Sequence, residues 1–149
     1  MKMQKAAYFT VEWQQREPKP RITLRAPNRT SSLSIDAALL LAQYALPSGD
    51  ILLILEEDCP YEEQLHIVLV RNVAVADHIV IGGMYETGSY REIRIEGERL
   101  NFSFGGEGVW TLTCEAAGTY KRSGLPSGAR RRGGLLARRY LVLSRTDAA

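Results

Sequence analysis

Two apolar runs lie ten residues apart: Ile51–Leu55, and Leu65–Val70, which is interrupted only by His66. Each is too short for a buried helix, and neither alternates apolar with polar residues. Runs of this kind read as strands covered on both faces, so both belong at the centre of a sheet system. Around them the chain alternates at period 2. In AYFTVEW, Phe9, Val11 and Trp13 point one way, and in RITLR, Ile22 and Leu24 do so. REIRIEGERLNFSF carries the clearest local geometry. Glycine first in a two-residue turn at Gly97-Glu98 suits a type II′ hairpin. That register sets Ile95 opposite Leu100, Ile93 opposite Phe102 and Glu96 opposite Arg99. Further strands are expected at His78–Ile81, in VWTLTC and at Tyr140–Leu143.

One segment reads differently. Ser34 can cap a helix, Asp36 would sit in its first turn, and Ala37–Ala42 are strong helix formers without a β-branched residue. The expectation is therefore a mostly β chain of about eight or nine short strands. These would form an antiparallel barrel or two-sheet sandwich, with one packed α-helix near residues 35–46. At 149 residues the chain has the length of a single domain spanning 1–149. Gly118–Gly134, rich in glycine, serine and arginine without apolar periodicity, reads as a mobile basic loop.

Charge is unevenly spread although the net value is only +2. Tyr120–Ala149 holds eight basic residues and one acid, a local +7, which leaves eleven basic and sixteen acidic residues, or −5, in the remainder. A basic tail on an acidic body implies either mutual attraction, within or between chains, or an external anion. The longest apolar stretch, Ala37–Leu46, is about half the length of a membrane span, and the basic N-terminus lacks the apolar core of a signal peptide. Cys59 and Cys114 form no CxxC or disulfide framework. A cytoplasmic protein without a membrane partner is expected.

The chemistry-bearing residues fall in two places. Glu57, Asp58, Glu62 and His66 lie in LEEDCPYEEQLH, where paired carboxylates beside a histidine could perform acid–base work. The bland alternative is a solvated acidic turn. His78 joins His66 if their strands form a hairpin, and a three-residue loop at Arg71–Val73 would set them face to face. No HxH, HExxH or EF-hand pattern is present, so no metal or cofactor is expected. Arg130, Arg131, Arg132, Arg138 and Arg139 could hold phosphate or carboxylate groups through their planar forks. They lack the interleaved aromatics of a base-stacking platform.

Three functions follow, in order. The first is a non-enzymatic module that binds a ligand or protein and self-associates as a homo-oligomer, its acidic and arginine patches facing an anionic ligand or acidic partner surface. The second is a small cavity enzyme that uses the carboxylates and His66 on an anionic substrate. The third is nucleic-acid or phosphate binding through the arginine segment. The first two differ in shape: an enzyme needs an acid and a histidine lining one concave pocket.

Overall fold

The computed structural model describes residues 2–27, 30–58, 64–82, 88–106, 108–119, 124–133 and 138–146. Thirteen strands run through them: β1 (Gln4–Lys5), β2 (Thr10–Gln15), β3 (Arg21–Arg25), β4 (Ser32–Ile35), β5 (Leu39–Ala45), β6 (Ile51–Glu56), β7 (Leu65–Arg71), β8 (Ala74–Ile81), β9 (Tyr90–Glu96), β10 (Arg99–Phe104), β11 (Val109–Thr119), β12 (Ala129–Arg132) and β13 (Arg139–Thr146). They form three antiparallel sheets, ordered β1-β5-β6-β7-β8-β12, β13-β11-β10-β9 and β2-β3-β4.

The six-stranded sheet is the middle layer, and β6 and β7 hold its two central positions. Leu52, Ile54, Leu65, Ile67 and Leu69 pack with Leu100, Phe102, Trp110, Leu112, Leu141 and Leu143 of the four-stranded sheet. On the opposite face, Ile51, Leu53, Leu55, Val68 and Val70 pack with Ile22, Leu24, Leu33 and Ile35 of the three-stranded sheet. Successive side chains of one strand thus enter two different cores, which is the physical reason the runs show no alternation.

This architecture corrects the expected barrel or two-sheet sandwich with a helix. The three sheets are open and layered, no sheet closes on itself, and no helix occurs among the described residues. The segment 35–46 is instead the end of β4 and all of β5. Pro47-Ser48-Gly49 turns the chain, with Gly49 at φ +92° and the Leu46 and Asp50 backbones bonded across the turn. Leu39–Ala45 then lies antiparallel to Ile51–Glu56. Helix propensities separate these residues by only a few tenths of a kcal/mol each, and an isolated helix of about twelve residues is marginal. A ladder along a strand buried at all but its last residue outweighs both, and all-round apolarity suits a strand there as well as it suits a buried helix.

Two further expectations change locally. The Glu96–Arg99 and Ile95–Leu100 pairs form, but a bulge sets Glu92, not Ile93, opposite Phe102. Ile93 is therefore turned to solvent, and Glu92 accepts a hydrogen bond at 2.7 Å from the buried Tyr44 hydroxyl. Within the Gly118–Gly134 segment read as a loop, Ala129–Arg132 is a strand that pairs with His78–Ile81 at the sheet edge. No helix among the described residues is long and apolar enough to cross a membrane.

Candidate functional site

His66 and His78 meet, though not as a facing pair. Asn72 and Val73, both at positive φ, make a two-residue turn, and a shift at Leu69/Val70 offsets the ladder. His66 lies opposite Val80 and His78 opposite Val68, so the two rings are diagonal neighbours on the face that packs against the three-stranded sheet. His66 Nδ1 and His78 Nε2 are 2.8 Å apart. On the other side of His66, Nε2 lies 3.1 Å from Glu57 Oε2. The result is a continuous chain, Glu57–His66–His78, with His66 fully buried and His78 9% exposed.

A carboxylate can only accept, which sets the direction of this chain when both rings are neutral. His66 donates from Nε2 to Glu57 and accepts at Nδ1 the proton of His78 Nε2. His78 Nδ1 is then unprotonated. It has no hydrogen-bonding partner among the described residues, where no buried side-chain nitrogen or oxygen lacks one, so this nitrogen reaches solvent. Burial, with lesser contributions from His66 and Arg132, lowers the His78 pKa to about 3, so the ring is neutral near pH 7.

The solvent that His78 meets is a cleft of about 270 Å³, lined by Arg21, Ser34, Ile35, Asp36, Val75, His78 and Arg132. It lies where the end of the three-stranded sheet meets β8 and β12. The Asp36 carboxylate takes Arg21 at 3.2 Å and Arg132 at 3.4 Å, both pairs well exposed. Two guanidiniums from different sheets thus converge on one carboxylate in a cleft that the His78 ring also lines.

The other expected site residues separate. Asp58, at φ 56°, turns outward to an exposed pair with Arg16 at 3.1 Å and takes no part in the histidine chain. Glu62 and Cys59 lie outside the described residues. The arginines largely serve the protein's own groups. Arg130 donates to Gln64 Oε1 and the Gly82 carbonyl, Arg131 to Asp77 and the Leu141 carbonyl, and Arg138 to the Ala117 carbonyl. Arg139 heads β13 opposite Thr119. Only Arg132 of this set lines the cleft.

Arg21, Ser34 and Asp36 were not anticipated as site residues. The alternation of RITLR places Arg21 outward at a strand end, but nothing local brings it near His78. Asp36 was hidden by its reading as a helix first turn. Cys114 is buried, which pushes its thiol up to about 12 and leaves it unreactive near neutral pH. Among the described residues no group of three or more His, Cys, Asp or Glu is placed to hold a metal ion. No protein-family model, curated protein or solved structure matches the chain.

Proposed function

We propose that this protein is a non-enzymatic binding module whose ligand is a compact oxyanion held in the Arg21–Ser34–Asp36–His78–Arg132 cleft. One observation carries the reading: Asp36 occupies the position between Arg21 and Arg132 that a ligand's anionic group would take. Both pairs are long and exposed, so releasing Asp36 costs little, and an anion of higher charge competes well for the two forks. Ligand titration by calorimetry at low ionic strength tests this with inorganic phosphate. Asp36→Asn removes the competitor and should tighten phosphate binding by about tenfold, whereas Arg132→Gln should weaken it by a similar factor. Absence of heat in all three proteins at millimolar phosphate overturns the reading.

The enzyme alternative gains from the same cleft, since an acid and a histidine line one concavity and Glu57–His66 orients the ring as a base-orienting pair would. Burial works against it, because a histidine held near 3 is a weak base at neutral pH. Nucleic-acid binding receives the least support, as Arg130, Arg131 and Arg138 already donate to groups of this chain.

Self-association has one observation of its own. Edge strand β2 leaves Val11 at 45% and Trp13 at 50% exposure. Its bulge between Val11 and Trp13 interrupts regular strand addition, so a second copy would meet these side chains rather than extend the sheet. Sedimentation equilibrium should show a dimer that Trp13→Ser converts to monomer. A monomer at every concentration of the unsubstituted protein removes this part of the reading.

A further inference from the structure

We infer that the cleft selects oxyanions that carry their own O–H group, the hydrogen-phosphate class, over equally shaped anions without one. This deepens the proposed anion site and rests on it. The argument comes from the direction of the Glu57–His66–His78 chain. Glu57 accepts at 3.1 Å, His66 passes the polarity on at 2.8 Å, and His78 is left with a bare Nδ1 lone pair on a ring that lines the cleft. The cleft therefore offers two kinds of contact. Arg21 and Arg132 donate to anionic oxygens, and His78 Nδ1 demands a donor.

Hydrogen phosphate meets both demands. Its unprotonated oxygens take the guanidinium forks and the Ser34 hydroxyl, and its O–H donates to His78. Sulfate has the same shape and charge but no proton near neutral pH. One of its oxygens would face the His78 lone pair, acceptor against acceptor. A site built to accept a hydrogen bond rejects the analogue lacking it more strongly than it rejects a change of size. A phosphodiester, which has no O–H, is rejected on the same ground, as is the dianion that a monoester becomes above its second pKa of about 6, so free hydrogen phosphate fits and a phospholipid diester does not. Glu57 and His66 are positioning residues here, since neither lines the cleft.

The test is calorimetric titration at low ionic strength and about pH 8, where a monoester is a dianion without an O–H and inorganic phosphate keeps one, with inorganic phosphate, methyl phosphate, sulfate and dimethyl phosphate. Inorganic phosphate should bind about tenfold more tightly than methyl phosphate, sulfate and dimethyl phosphate, the loss expected for an unmade hydrogen bond set against a repulsive contact. Methyl phosphate that binds as tightly as inorganic phosphate overturns the O–H requirement. Glu57→Gln supplies the second arm. Its amide donates as well as accepts, so the direction of the chain is no longer set. The preference for phosphate should fall toward unity while sulfate affinity, which depends on the arginines, stays in place. Ring-nitrogen NMR reads the cause directly, with the proton of His78 on Nε2 in the unsubstituted protein and spread over both nitrogens in the variant.

Equal affinity for phosphate and sulfate, or a protonated His78 Nδ1 (the result if His66 were an imidazolium donating both ways), overturns the selection and leaves the anion site standing. A phosphate preference unchanged in Glu57→Gln overturns the part played by the chain. Failure of all four anions to bind overturns the site itself.

Discussion

Replacing Asp77 with alanine should destabilise the protein by about 3–5 kcal/mol, the cost of breaking a buried ion pair from one side. Asp77 Oδ1 accepts from the His78 backbone at 2.9 Å and from Arg131 Nε at 3.0 Å. Its Oδ2 accepts from the Tyr140 and Leu141 backbones, each at 2.9 Å. One carboxylate, 3% exposed, therefore ties β8 and β12 of the middle sheet to β13 of the four-stranded sheet. Alanine would leave a largely buried guanidinium without its counter-charge and three N–H groups without an acceptor. Against a total of about 5–15 kcal/mol for a domain, such a loss is a large share. Urea unfolding measures it, and a loss below about 1 kcal/mol would place the pair with ordinary surface bridges and refute its structural role. Adding Arg131→Leu to Asp77→Ala should recover part of the loss, because the stranded charge then disappears.

Asp77 also illustrates what the sequence makes readable. On the β8 face that presents Ile79 and Ile81 to the core, an acid breaks an apolar stripe, and such a break marks a buried partner without naming it. The partner, Arg131, is 54 residues away, in a segment whose glycines and arginines resemble a loop because an edge strand of four residues carries no periodicity. The centrality of Ile51–Leu55 and Leu65–Val70 was legible because it follows from their own composition. The strand at Leu39–Ala45 was not, since local propensity favours a helix and only pairing with Ile51–Glu56 decides otherwise. The contact of His66 with His78 followed from hairpin adjacency, whereas their diagonal placement depends on a turn length and a register shift. Glu57 and Asp58 diverge because the backbone at Asp58 leaves the extended region, an event invisible in a run of acids. The cleft was the least legible feature: Arg132 and Asp36 are 96 residues apart and meet only through the stacking of sheets.

Acidification should remove stability through His78, in a window set by its own shift. The ring titrates at about 3 in the folded protein against an ordinary 6.5. Burial is the main cause, and the neighbouring His66 and Arg132 act in the same direction, while Asp36 and Asp77 oppose them less strongly. Between these two values the unfolded chain binds the proton and the folded chain refuses it. The contribution of the neutral ring is therefore complete above about pH 6.5 and is lost progressively as the pH falls toward 3, to a total of a few kcal/mol. Urea unfolding across this range should give a slope approaching 1.4 kcal/mol per pH unit from this group, the value for one proton taken up on unfolding. His78→Gln keeps an N–H donor for His66 Nδ1 and has nothing to titrate, so its slope should be shallower by about one proton. Arg21 and Glu57 bear on the same network and are unchanged in the comparison, which isolates the ring. Equal slopes in the two proteins would mean that the folded chain accepts the proton after all, passing it along His66 to Glu57. In that case the row of hydrogen bonds conducts protons rather than holding His78 as a fixed acceptor.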